Sequence, residues 1–165
     1  MKTNIGITEN NRLEVVKELN KLLADEYVLY TKTRNAHWNI EGVDFHEKHL
    51  FFESQFKQLD EIIDSVAERV RSLGHYAIGT LKTFLELTHL AEVSEMANDS
   101  ETYVRELLTD HESIIIHCRE NIHRFGSEYQ DFGTSDFVTG LMETHEKMAW
   151  FLRSHLKVKV PMILN

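Results

Sequence analysis

Cysteine, proline and glycine are scarce in this chain of 165 residues, and each scarcity excludes a class of structure. The single cysteine, Cys118, excludes an intrachain disulfide framework and a cysteine-rich zinc site. Cys118 follows three isoleucines and a histidine, which predicts a buried structural thiol. One proline and seven glycines favour long uninterrupted helices over a turn-rich β architecture.

Long apolar runs and basic clusters are also missing. No run of about 18 apolar residues occurs, and no basic segment with a following apolar one opens the chain, so we expect a soluble, cytoplasmic protein with no membrane partner. Lys and Arg total 18 against 27 Asp and Glu, and the net charge of −9 repels nucleic acid. The first ten residues hold one lysine and one glutamate, and Arg153, Lys157 and Lys159 are the basic residues near the other end. Direct DNA binding is therefore not expected.

Four long segments carry the three-and-four spacing of apolar residues that predicts amphipathic helices. They cover residues 8–35, 44–73, 98–126 and, from Thr134 or Ser135, the stretch to 156. Asp44 followed by Glu47 resembles a capping box, and Gly74 is expected to end the second helix. Pro161 prevents continuation of the fourth.

The lengths of the joins predict the architecture. Residues 38–43 and 127–133 form short joins, so each pair of helices should be antiparallel neighbours. The connection between the second and third helices has about 24 residues, far more than usual, and contains a short amphipathic piece, 81–87. This predicts an all-α, ferritin-like four-helix bundle with a short extra helix in the long crossover between helices 2 and 3. We expect residues 1–165 to form a single domain.

Histidines and carboxylates concentrate between residues 37 and 68. The candidate ligands are His37, His49, Glu53, Asp64 and Glu68. The last four form two pairs at i,i+4 spacing, so the members of each pair share a helix face. Either pair alone is more often a solvated helix face than a site. Together, imidazole and carboxylate donors suit Fe(II), Mn(II) or Zn(II).

A distance argument indicates how these pairs could meet. The pair centres are 15 residues apart, or about 22 Å along one straight helix. Metal–ligand bonds are about 2.0–2.3 Å, so one chain cannot bring both pairs to one ion. Two copies lying antiparallel across a two-fold axis can, which predicts two equivalent sites per dimer.

Several motifs resemble the Dps family (DNA-binding proteins from starved cells). The first block contains His37-Trp38-Asn39, Gly42, Phe45, His49 and the run from Asp64 to Arg69. The runs 133–136 and 146–152 are similar to the family's last helix. The likeness covers nearly the whole chain in order and spacing.

The resemblance implies a hollow homododecamer that oxidises Fe(II), preferentially with hydrogen peroxide, and stores ferric mineral, protecting DNA and cell from oxidative damage. Each dimer interface would carry a di-iron ferroxidase site, with Zn or Mn able to substitute. His37, His49 and Glu53 would come from one subunit. Asp64 and Glu68 would come from its two-fold mate, with Glu68 bridging the irons.

Other family roles map onto single residues of this chain. Trp38 matches a site-adjacent tryptophan that can supply an electron, although packing at a helix end explains it equally well. The family commonly has Asp where this chain has Glu53, which leaves the second iron position in doubt. Asp136, and more weakly Asp131, match acidic residues lining three-fold pores, while helix capping is the ordinary alternative for Asp136.

Two alternative functions remain open from the sequence. Glu86 with His89 and Glu120 with His123 have the Glu-x-x-His spacing of di-iron sites inside one bundle, as in an oxygenase. The fourth helix lacks that spacing, which argues against this alternative. The other is a protein that coats DNA, which the scarcity of basic residues disfavours.

Overall fold

The computed structural model describes residues 3–92 and 98–156, and these residues form helices without any strand. The elements, in chain order, are α1 (Glu9–Asn39), α2 (Phe45–Ser72), α3 (Leu81–Leu87), α4 (Ser100–His123), a π-helical turn (Arg124–Glu128) and α5 (Phe132–Ser154). Helix α1 packs chiefly on α2 and α4 chiefly on α5, while α1–α4 contacts join the two pairs. The ferritin-like four-helix bundle with its extra crossover helix is confirmed.

Helix α1 begins where the sequence predicts but ends later. The Thr8 side chain accepts a hydrogen bond from the Asn11 amide and caps the first turn. The helix then runs to Asn39, four residues past the expected end. No glycine or proline interrupts residues 36–39, and Gly42, at φ +123°, lies just beyond them. His37 and Trp38 therefore lie in the last turn of α1 rather than in a loop.

The ends of α2 show one wrong prediction and one confirmed one. Asp44 precedes the helix but makes no capping hydrogen bond, so the predicted capping box is wrong. Its carboxylate instead accepts a hydrogen bond from the Ser100 hydroxyl at 2.5 Å, which ties the start of α2 to the start of α4. Gly74 ends the helix at φ +89°, a conformation that favours glycine.

The crossover lies against α1. The Thr80 hydroxyl caps α3 by accepting from the Thr83 amide. Phe84 is buried and stacks on Tyr27 with ring centroids 4.3 Å apart. This single buried aromatic side chain anchors α3 to α1.

The predicted join between the last two long helices is shorter in the structure. Gly126 does not end the helix; it lies buried within the π-helical turn, against the Phe132 ring. Helix α5 begins at Phe132, two residues before the predicted start, because Asp131 caps it by accepting from the Thr134 amide. The chain reverses at Gln130, whose φ is +57°.

Apolar side chains from all four long helices fill the core. Among the largest that are nearly or fully buried are Leu19, Phe52, Ile114 and Leu152. Cys118 is also buried, as predicted, and burial with the nearby charges of Glu26 and Asp25 raises the pKa of its thiol. No helix in the described ranges is long and apolar enough to cross a membrane.

Candidate metal centre

The end of α1 and the beginning of α2 bring His37 and His49 face to face. Their ring centroids lie 3.8 Å apart with an interplanar angle of 24°. Each Nδ1 lies 2.8 Å from the backbone carbonyl of the other histidine. A carbonyl can only accept, so both Nδ1 atoms must carry the proton and donate it. A neutral ring with its proton on Nδ1 has a free lone pair on Nε2, the atom that can then bind a metal ion.

Glu53 lies one turn after His49 on α2 and extends this face. Its carboxylate pairs with Lys57 at 2.5 Å. The hydrogen bond from Lys57, together with the positive charge of Lys57, lowers the pKa of Glu53. The carboxylate is thus ionised at neutral pH, but Lys57 competes with any metal ion for it.

Asp64 and Glu68 lie near the other end of α2, and both are exposed. Helix α2 is unbroken between the two pairs, so the distance of about 22 Å along its axis applies. The structure thus brings His37 and His49 together near Glu53, and it leaves Asp64 and Glu68 on a separate part of the surface.

Aromatic and cationic neighbours of the histidine pair were missed from the sequence. Phe56 packs edge-on against His37, and its ring also lies under the Arg34 guanidinium at 4.7 Å. Arg34 covers Trp38 as well and donates to the Tyr30 hydroxyl at 2.7 Å. The spacing of Tyr30, Arg34 and Trp38 at four-residue intervals was the available signal, because such residues share a helix face.

Comparisons with known proteins place the whole bundle in one family. A family model described as a ferritin-like domain matches residues 16–159. DNA protection during starvation protein 2 of Bacillus anthracis is 32% identical over 87% of this chain and 97% of its own length. Among solved structures, DpsC from Streptomyces coelicolor superposes with a TM-score of 0.90 at 32% identity, covering 99% of this chain and 95% of that one.

The chain belongs to the Dps family of ferritin-like proteins. A Dps protein from Vibrio cholerae O1 has a TM-score of 0.88 at 29% identity, covering 95% of this chain and 98% of that one. That protein is described as a member of a broad superfamily of ferritin-like diiron-carboxylate proteins. The resemblance inferred from the motifs is thereby confirmed.

The two candidate pore residues of this Dps chain have different surroundings. Asp131 is buried, caps α5 through the Thr134 amide and pairs with Arg69 at 3.3 Å. These contacts give Asp131 a structural role. Asp136 lies just after the first turn of α5 and is exposed, so the structure gives it no capping role and leaves it as the candidate pore residue.

The two Glu-x-x-His motifs, which suggested a di-iron site inside one bundle, do not come together in the structure of this Dps chain. Glu86, Glu120 and His123 are all exposed. Within residues 3–92 and 98–156, one group of three His, Cys, Asp or Glu side chains converges to within 4.8 Å, and it consists of Asp25, His89 and His117. His89 is thus the one member of those motifs that enters a cluster, and it does so without Glu86.

Proposed function

We propose that this Dps protein is a ferroxidase and iron-storage protein whose oxidation sites are completed across a two-fold axis. The observation that carries the proposal is the reciprocal hydrogen bonding of His37 and His49, which orients two ring nitrogens as metal ligands beside Glu53. The donor set of two imidazoles and carboxylates fits Fe(II).

The carboxylates that complete each site are proposed to come from the neighbouring subunit. Asp64 and Glu68 lie about 22 Å from the His49 pair along α2, so they can serve the same ion only from a second chain. Two α2 helices crossing antiparallel near residues 58–59 would place each exposed carboxylate pair opposite a histidine pair. Each dimer would then contain two equivalent sites.

An exposed apolar surface beside the histidine pair supports the presence of such a neighbour. Trp38, Leu81 and Leu85 are 61%, 71% and 51% exposed, although each is large and apolar. With Phe84 they line a mainly apolar cleft of about 400 Å³ between α1 and α3. Contiguous apolar surface of this kind marks an interaction site, and a second copy of this chain would cover it.

Iron enters this scheme as the substrate, and two Fe(II) ions supply the two electrons that reduce one hydrogen peroxide molecule. The protein's part is positional and electrostatic. His37 and His49 hold the geometry through Nε2, and their Nδ1–H bonds to carbonyls prevent ring rotation. Ionised Glu53, Asp64 and Glu68 offset the positive charge that grows on oxidation. Because both electrons leave from one site, single-electron release of hydroxyl radical is avoided.

The oxidised iron is proposed to be stored inside a hollow dodecamer, with Asp136 lining an entry pore. An exposed anionic ring there would lower the barrier for a divalent cation entering the shell. Protection of DNA would follow from removing Fe(II) and peroxide rather than from coating DNA, because the net charge of −9 opposes contact with phosphates.

Mixed shells test the shared site directly. His49→Ala and Glu68→Ala should each abolish fast iron oxidation, because each removes a different half of every site. A dimer containing one chain of each type has one intact and one doubly damaged site. Random mixing makes half the dimers of this kind, so co-refolded shells should recover about a quarter of wild-type activity.

The matched control mixes His49→Ala with His37→Ala. Both changes damage the same half-site, so no dimer in that mixture contains an intact site. Recovery in the first mixture and none in the second establishes sharing between subunits. If shells shown by mass spectrometry to be mixed stay inactive with Glu68→Ala, the site does not span two chains.

A further inference from the structure

A second cluster of potential metal ligands lies beside the middle of α1, away from the histidine pair at its end. Asp25 of α1, His89 of the crossover and His117 of α4 each offer a ligand atom, and these atoms lie within 4.8 Å of one another. Asp25 precedes His37 by 12 residues, or about 18 Å along α1. The cluster is therefore separate from the proposed oxidation site.

Asp25 is a buried carboxylate that the protein holds in one orientation. The residue is 1% exposed, and its Oδ1 accepts hydrogen bonds from the Thr88 hydroxyl and the His89 amide, both at 2.7 Å. Its Oδ2 faces Nδ1 of His89 at 3.1 Å. Such fixing by neighbouring donors is typical of carboxylates that ligate metals.

The charge of Asp25 has no permanent counter-charge among the described residues. Its partner within 4.0 Å is His89, whose side chain is 41% exposed. Burying a carboxylate is costly unless a cation or several hydrogen bonds offset the loss of water. The hydrogen bonds to Asp25 offset part of this cost, and a bound dication would offset more of it.

His117 supplies an independent indication. Its Nδ1 is buried and has no hydrogen-bond partner among the described residues. The His117 and His89 rings lie 4.3 Å apart at an angle of 44°, too oblique for simple parallel stacking. A buried ring nitrogen of this kind normally has a partner, and a metal ion is one that it can take.

The cluster opens into a cleft of about 230 Å³ that gives an ion access from solvent. Lys21 and Arg124 line this cleft, but both face the carboxylate of Glu18, at 3.1 and 3.7 Å. Their charges are therefore largely offset locally. The cleft also leaves room for water molecules to complete a coordination shell.

We propose that Asp25, His89 and His117 bind one first-row divalent cation, such as Zn(II), Co(II) or Fe(II), at a mononuclear site. Two imidazoles and one carboxylate, with open positions for water, are the ligand set that such ions take. Tetrahedral ligands about 2.1 Å from an ion lie about 3.4 Å apart, so the three atoms must close slightly on binding. The exposed His89 ring can make that movement, with its proton passing from Nδ1, where it is donated to Asp25, to Nε2.

Co(II) binding to the intact shell tests this site without relying on iron oxidation. In a His49→Ala/Glu68→Ala background, which removes the proposed oxidation site, we expect visible d–d absorption that saturates near one Co(II) per chain. Adding His89→Ala or His117→Ala should weaken binding by about 10- to 100-fold. His89 is exposed, so its removal does not disturb the core.

The matched control is His123→Ala, an exposed histidine six residues after His117 on the same helix. It should leave Co(II) binding unchanged. Zn(II) should raise the Tm of the background protein and of His123→Ala, but not of His89→Ala. Absent Co(II) absorption at millimolar metal, or equal losses in His117→Ala and His123→Ala, would show that the cluster merely fastens the crossover to α1.

Discussion

The contact between Arg69 and the start of α5 gives a stability prediction that the structure makes quantitative. Arg69 follows Glu68 on α2, and its Nε donates to the Thr134 hydroxyl at 2.9 Å while Nη2 donates to Asp131 at 3.3 Å. The Asp131 side chain is 2% exposed and that of Arg69 is 27% exposed. Arg69→Met keeps the side chain's apolar length but removes both donors.

The size of the effect follows from what Asp131 retains. Removing one partner of a fully buried ion pair costs about 3–5 kcal/mol. Here Asp131 keeps the hydrogen bonds from the Thr134 amide and hydroxyl, and Arg69 is partly in contact with water. We therefore expect a loss of about 2 kcal/mol, which corresponds to a fall in Tm of about 4–8 °C for a chain of this size.

A double-mutant cycle measures this coupling by thermal unfolding. It compares wild type, Arg69→Met, Asp131→Asn and the double variant, with all samples in the same assembly state. The coupling between the two changes should be about 1–2 kcal/mol. Arg71→Met is the control, because Arg71 is exposed and stacks on Tyr76, so its loss should cost about 1 kcal/mol or less. Equal effects of Arg69→Met and Arg71→Met, or strict additivity in the cycle, would refute this account of the α2–α5 junction.

Four further predictions concern metal, iron entry, pH and DNA. Lys57→Met should tighten Zn(II) binding at the histidine pair a few-fold in calorimetry, because Glu53 loses its competing cation. The control is Lys82→Met, which removes a similar helical ion pair on α3 and should leave Zn(II) binding unchanged. Asp136→Asn should slow the initial rate of iron uptake by intact shells; an unchanged rate would show that Asp136 does not line the path of iron entry. Burial, followed by the charge of its histidine neighbour, lowers the pKa of His111 well below the usual value, so the unfolded chain takes up a proton near pH 6.5 that the folded chain does not. The free energy of unfolding should therefore fall as pH drops below about 6.5, and this group contributes up to about 1.4 kcal/mol per pH unit. His111→Gln should flatten the dependence of Tm on pH. Substitution of an exposed histidine should leave that dependence unchanged. Duplex DNA should not be retarded in a gel at moderate salt, and stoichiometric binding there would reveal a basic surface created by assembly.

The helices could be predicted because they depend on local spacing, and the family motif correctly placed His37 close to His49. Apolar periodicity gave the four long helices, and the length of the crossover gave the extra one. Boundaries were less accurate where tertiary contacts decide them. Asp44 had the spacing of a cap but bonds to Ser100, a residue 56 positions away, and Gly126 continues into a π-helical turn because it packs against Phe132. No local signal encodes either contact.

The cluster of Asp25, His89 and His117 could not be predicted for the same reason. Its members come from three separate elements, with no motif spacing between them. The sequence instead drew attention to His89 through its spacing from Glu86, which is exposed and points to no shared site. Gly133 was noted only as part of a family motif, and the structure adds that a Cβ there would lie 3.1 Å from Arg69 Nη2.

The division of the ligands along α2 has a consequence for the isolated subunit. Because Asp64 and Glu68 are exposed and about 22 Å from the His49 pair, a lone chain holds the candidate histidine ligands without the candidate carboxylates beside them. Under the shared-site proposal, fast oxidation then begins only when two chains have met, and the apolar surface around Trp38 is covered in the same step. Iron oxidation would thus be confined to molecules that already form part of a shell wall, where the ferric product has an enclosed space to enter. A dimer-breaking change at Leu81 or Leu85 should accordingly abolish oxidation without altering any ligand, whereas a change that stops dimers from closing into shells should preserve oxidation and lose storage.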